Sequence, residues 1–155
     1  MEFKPNDEFY LLDKASCLGS LGRNDEAIEL CDAIININPF NYDVWYEKGY
    51  CLESLNKFDE ALMCIDKAIE LKPNYNSSLF QKVFLLFKLN RSGEVKDVLS
   101  KIKPDDYFDW EQLYILYSRI DEYDKALECV DEMLRLEYGY YPLFFKASIL
   151  FRINK

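Results

Sequence analysis

The chain contains no histidine, so the side chain most often used as a general base is missing, and with it the usual zinc-ligand sets. Its five cysteines are odd in number and form no Cys-x-x-Cys pair, which removes a dithiol or zinc-ribbon motif as well. The five glycines are scattered at Gly19, Gly22, Gly49, Gly93 and Gly139, so no glycine-rich loop cradles a phosphate. The opening run MEFKPNDEFY has no apolar stretch of signal-peptide type, and no uninterrupted apolar run reaches membrane-spanning length. Basic residues are the scarcer charge, 19 against 28 acidic, and the net charge of −9 disfavours a phosphate backbone as partner. These absences argue against an enzyme, a metal or cofactor protein, a membrane protein and a nucleic-acid binder.

Apolar residues and repetition are what the chain does have. Half of its 155 residues are apolar and 16% are aromatic, which suits a folded chain with a continuous core. A spacing of 34 residues recurs: Ala27 to Ala61, Pro39 to Pro73, and Cys17 to Cys51. Trp45 stands 16 residues before Ala61, and Trp110 stands 16 before Ala126. The units read as 8–41, 42–75, a shortened 76–106, 107–140 and a half-unit 141–155. Each unit patterns as two antiparallel helices. In the second, a helix opening at Tyr42 or Asp43 carries Trp45, Gly49, Leu52 and Leu55, and Asn56-Lys57 makes the turn. A second helix begins at Phe58 and stops before Pro73, since proline keeps the preceding residue out of the helix. Turns are expected likewise near Gly22-Arg23, Asn90-Arg91 and Asp121-Glu122, giving nine helices and no strands.

A 34-residue period with Trp, a small residue, Ala and Pro in this order resembles the tetratricopeptide repeat. The resemblance covers about nine tenths of the chain and rests on units one, two and four. It implies an all-α fold: a right-handed α-solenoid of antiparallel helix pairs, about four repeats plus a C-terminal helix, forming one domain over 1–155. It also implies a surface that binds other chains. Unit three departs from the pattern, with Val83 and Val95 at both close-contact places, and its second helix is expected to end near Lys103, before Pro104. Unit four has Tyr114 where a small residue is expected, so its helix pairing should be wider or shifted. The five cysteines fit best as small buried hydrophobes in a reducing, cytoplasmic compartment.

In this family the first helix of each pair lines a groove. The face opposite the Trp-Gly-Leu stripe carries Phe9, Leu12 and Ser16 in unit one. It carries Asp43, Tyr46, Glu47, Tyr50 and Glu53 in unit two, then Ser77, Phe80, Gln81, Phe84 and Phe87 in unit three. Phe108, Glu111, Gln112 and Ile115 follow in unit four, with Phe145 and Ile149 in the half-unit. Columns of Leu12, Tyr46, Phe80 and Phe145, and of Tyr50, Phe84, Ile115 and Ile149, suit an amphipathic helix or extended peptide with apolar anchors.

The cationic clamp that some family members use for acidic peptide tails is missing, because its places hold Leu12, Ser16, Glu47, Ser77 and Gln81. The pentatricopeptide pattern has a similar period but reads RNA with polar code residues, and Leu12, Tyr46 and Phe80 supply no such code. The carboxylate pairs Asp25-Glu26 and Asp59-Glu60 suit helix starts, and Asp131-Glu132 an outer face. The sequence therefore reads as a non-catalytic protein-interaction module without cofactor or metal, whose partner is a protein or peptide. The alternative is a self-associating scaffold that forms a homodimer through the last helix, where Phe144, Ala147 and Phe151 make an apolar face.

Overall fold

A computed structural model of the chain describes residues 8–136 and 140–153. Among them are nine α-helices and no strand: α1 (Glu8–Ser20), α2 (Asn24–Ile37), α3 (Tyr42–Ser54), α4 (Phe58–Leu71), α5 (Asn76–Lys88), α6 (Val95–Leu99), α7 (Tyr107–Arg119), α8 (Tyr123–Arg135) and α9 (Tyr141–Ile153). A 3-10 turn, Ser92–Glu94, leads into α6. The fold class is the α-solenoid of helix pairs expected from the sequence. The chain forms two compact units, one ending at Ile102 and one beginning at Lys103. No described helix is long and apolar enough to cross a membrane.

Each pair is made by the same reversal. After the first helix one residue takes a left-handed conformation: Gly22 (φ 77°), Asn56 (60°), Asn90 (59°) and Asp121 (59°). Glycine, asparagine and aspartate are the residues that tolerate it. The next residue then donates its N–H to a carbonyl five places back: Arg23 to Leu18 at 2.9 Å, Lys57 to Leu52 at 2.9 Å, Arg91 to Leu86 at 2.8 Å and Glu122 to Tyr117 at 3.0 Å. These bonds satisfy carbonyls that a helix end leaves open. All four turns fall where the sequence places them.

Small residues let the paired helices approach. A Cβ built on Gly49 would lie 2.8 Å from Ile65 Cδ1 and 3.3 Å from the Ala61 carbonyl oxygen. Ala61, Ile65 and Ala68 of α4 are fully buried. Pro39 and Pro73 each follow a second helix by two residues, after α2 ends at Ile37 and α4 at Leu71. Successive pairs are tied by a repeated bridge from a second helix to the next first helix: Asp32 to Lys48 at 2.5 Å and Asp66 to Lys82 at 2.6 Å. Asp131 and Lys146 repeat it in the other unit at 2.7 Å. Partly exposed pairs of this kind contribute little stability, about 0–1 kcal/mol, so they favour a register more than they hold the stack.

Two expectations are corrected here. The second helix of the third repeat ends at Leu99 and not near Lys103. The Ser100 hydroxyl donates to the Asp97 carbonyl at 2.8 Å, which competes with helix continuation, and Ile102 turns back into the core. Cys17 is exposed, whereas Cys31, Cys51, Cys64 and Cys129 are buried. Cys51 is covered by α1, whose Gly19 comes close to its Sγ, while no described element covers Cys17 in the same way. Burial pushes the Cys31 and Cys129 thiols up to about 12 and those of Cys51 and Cys64 to about 11, which keeps them protonated and unreactive. Gly49→Leu should cost about 1–3 kcal/mol in urea unfolding, because Ile65 and the Ala61 carbonyl leave no room for a side chain.

Candidate functional site

Within unit 1 the first helices α1, α3 and α5 repeat in phase, so side chains 34 residues apart take equivalent places. Tyr50 and Phe84 form one such pair, and both rings remain open, 46% and 39% exposed. Leu12, Tyr46 and Phe80 form the neighbouring set, and all three are at least partly buried. Phe87 is half-buried too, while Phe9 on the first turn of α1 is 80% exposed. The structure thus offers an edge of two open rings beside a half-buried apolar row.

Polar groups are set among these rings. The Ser16 hydroxyl of α1 hydrogen-bonds Glu47 of α3, and Gln81 Nε2 of α5 donates to Glu53 of α3. Burial holds both carboxyls above the usual carboxylate range, opposed by Ser16 at Glu47 and by the charge of Lys88 at Glu53. Burial also pushes the Tyr46 hydroxyl up to about 12, with Tyr75, Glu47, Tyr50 and Glu53 adding negative potential around it. Lys88 Nζ lies 5.1 Å from the Phe84 ring centre and 5.8 Å from that of Phe58.

The start of α3 holds a cluster that the sequence reading missed. Tyr75 meets Tyr42 edge-on at 5.2 Å and Tyr46 at 5.6 Å, and Lys72 Nζ sits 4.1 Å over the Tyr42 ring. One repeat earlier, the same three places are Glu8, Asn38 and Asn41, and both asparagines donate to the Glu8 carboxylate. The signal was available: Glu8, Asn38 and Asn41 precede Tyr42, Lys72 and Tyr75 by 34 residues each. The chemistry changes from hydrogen bonds to ring contacts while the position is kept.

In unit 2, Ile115 is exposed and Phe145 is half-buried, its ring stacked on Tyr114 at 4.6 Å. Tyr114 therefore turns towards α9, and Leu113 and Tyr117 are the buried residues of α7. Ile149 corrects the expected groove: at 2% exposure it belongs to the core and is closed to a ligand. Phe144 and Phe151 are 73% and 64% exposed, and Ala147 is exposed beside them. A cleft of about 1010 Å3 opens at the N-terminal ends of α7 and α9, lined by Glu111, Tyr140, Tyr141, Phe144 and Phe145. Tyr140 and Tyr141 were not foreseen there. Unit 1 has a smaller cleft of about 400 Å3 where α3 meets α4, around Trp45, Leu52 and Met63, away from the ring edge.

Residues 42–75 match the model of the tetratricopeptide repeat. The chain carries a tetratricopeptide repeat. The protein prenyltransferase alpha subunit repeat also matches, over residues 24–55, which span the second helix of one pair and the first of the next. Solved structures share the fold. TTC0263, a thermophilic tetratricopeptide-repeat protein of Thermus thermophilus, superposes with a TM-score of 0.74 at 18% identity, covering 96% of this chain and 84% of that one. MamA gives 0.69 at 18% identity over 86% and 80% of the two chains. YrrB, described as having an unusual peptide-binding site, gives 0.66 at 16% identity over 83% and 68%. No curated protein matches the sequence.

The half-buried carboxylates Glu47 and Glu53 carry a pH signature. In the folded chain Glu47 and Glu53 hold their protons to higher pH than in the unfolded chain. The native state then binds more protons, so these two groups lower stability as pH rises from the ordinary carboxylate range through their raised values. Glu47→Gln, which keeps an acceptor for Ser16, should flatten that loss, measured as the wild-type-to-variant difference in urea unfolding across a pH series. An unchanged difference from acid to neutral pH would contradict the assignment.

Proposed function

We propose that this protein is a non-catalytic interaction module that binds an amphipathic segment of another protein across the first-helix face of unit 1. The observation that carries this reading is the pair of open rings, Tyr50 and Phe84, at equivalent places of α3 and α5. A partly open ring at two successive repeats offers apolar area for a partner to cover. Leu12, Tyr46, Phe80 and Phe87 lie half-buried beside them, and Phe9 stands at the start of α1. A partner helix or extended chain with bulky apolar anchors suits such a surface. The likeness in fold to YrrB, whose description names a peptide-binding site, supports the same class of ligand. In unit 2, Ile115 and Phe145 present apolar surface of the same kind.

Selection of peptides from a random displayed library against the whole chain tests this reading. Tyr50→Ala or Phe84→Ala should weaken a selected peptide by about 1–3 kcal/mol, as buried aromatic anchors do. Stability should fall less than in Leu52→Ala, a core change. Selected peptides indifferent to both ring substitutions would overturn the reading.

Self-association is a second reading, favoured by the exposure of Phe144, Ala147 and Phe151 along one side of α9. In complete pairs the matching stripe of a first helix packs on its own second helix, as Gly49 does on Ala61 and Ile65 of α4. A light-scattering mass that doubles with concentration, and returns to one chain in Phe144→Glu with Phe151→Glu, is the expected result. A constant single-chain mass removes this reading.

A further inference from the structure

The cleft of unit 2 has an unusual wall. Its lining is four aromatic rings, Tyr140, Tyr141, Phe144 and Phe145, and one carboxylate, Glu111. Aromatic faces carry a negative quadrupole, so rings and carboxylate present the same sign of potential to whatever enters. The nearby basic side chains are engaged elsewhere. Lys146 is held by Asp131 at 2.7 Å, and Arg152 lies by Tyr114 and hydrogen-bonds Tyr123. Among the described residues, then, no cation lines the cleft. Phe145 is fixed in place by its stacking on Tyr114, so one wall stands ready before any ligand arrives.

A neutral apolar group entering this space gains burial only. A cation gains burial, ring attraction and the Glu111 charge together. We propose that the cleft receives a basic side chain of a partner protein, best an arginine, whose planar guanidinium stacks on rings and pairs with a carboxylate at once. The space of about 1010 Å3 exceeds one side chain, so the residues flanking the arginine are accommodated as well. The first-helix face of unit 1 also sets carboxylates, Glu47 and Glu53, among rings, but there Lys88 already supplies a cation. The proposal rests on the protein-binding reading above and adds the charge of the ligand to it. A strongly acidic chain, net −9, would also attract such a segment over distance.

The test uses two probes of nearly equal shape, blocked arginine (N-acetyl, N-methylamide) and the citrulline analogue, which lacks the charge. Each is titrated into the full chain while the ring carbon shifts of Phe144 and Phe145 are followed. Arginine should half-saturate those shifts at a concentration about 5-fold or more below citrulline, in keeping with an exposed cation–ring contact strengthened by a carboxylate. Glu111→Gln should reduce the preference, leaving the part due to the rings, without changing citrulline. Phe144→Leu, which keeps apolar bulk and removes a ring face, should lower the preference independently, with helix content checked by circular dichroism. Equal response to the two probes, no response at these rings, or a preference undiminished by Glu111→Gln overturns the proposal. A library-selected peptide that still binds through Tyr50 and Phe84 in that case shows that the protein-binding reading stands and only the cationic anchor has failed.

Discussion

Every helix pair in the chain depends on reversing direction in about three residues without stranding the carbonyls of the helix just ended. A left-handed residue does this at Gly22, Asn56, Asn90 and Asp121, with the following N–H reaching back five residues each time. Because the reversal is the same, each second helix leaves its first in the same way. The close crossing at Gly49 and Ala61 then becomes geometrically available, and larger side chains there would close it. The third repeat keeps the reversal at Asn90 but follows it with a 3-10 turn and a five-residue helix. Val95, Val98 and Leu99 of that short helix are still buried, so the pair closes with a much shorter second helix.

Within unit 1, constant geometry gives each first helix the same orientation, and this places the candidate surface. Residues on the stripe toward the second helix are core; those on the other side face solvent or the next first helix. Tyr50 and Phe84 are open for this reason, and Glu47 and Glu53 are half-covered beside Ser16 and Gln81 for the same reason. Half-covered carboxylates among rings destabilise the folded chain above the ordinary carboxylate range. Open rings and half-covered carboxylates thus lie together on one face, the face on which the proposed function rests.

The fold was legible because it rests on local, periodic signals. The 34-residue spacing of Ala27, Ala61, Pro39 and Pro73 and the turn residues Asn56 and Asn90 each act within a few residues of their own position. The site was legible in part. Helical phase put Tyr50 and Phe84 on one open face, but phase cannot say how much a neighbouring helix covers. Leu12, Tyr46 and Phe80 are half-buried for that reason, and Ile149 is buried outright. Tyr114 illustrates the same limit: a ring too large for the small-residue place leaves it and stacks on Phe145, 31 residues on.

The sequence by itself determined the class of fold, the turns, most helix ends and the absence of histidine chemistry, since each follows from residue identity and short-range spacing. The tertiary structure alone decided where α6 ends, that Cys17 is open while Cys51 is covered, and that Tyr75 and Lys72 gather on Tyr42. It also decided that Glu111 shares a cleft with four rings from α9 and the residue before it. These outcomes depend on which surface of one helix meets another. Such contacts lie tens of residues apart in the chain, and their geometry is set by packing rather than by period.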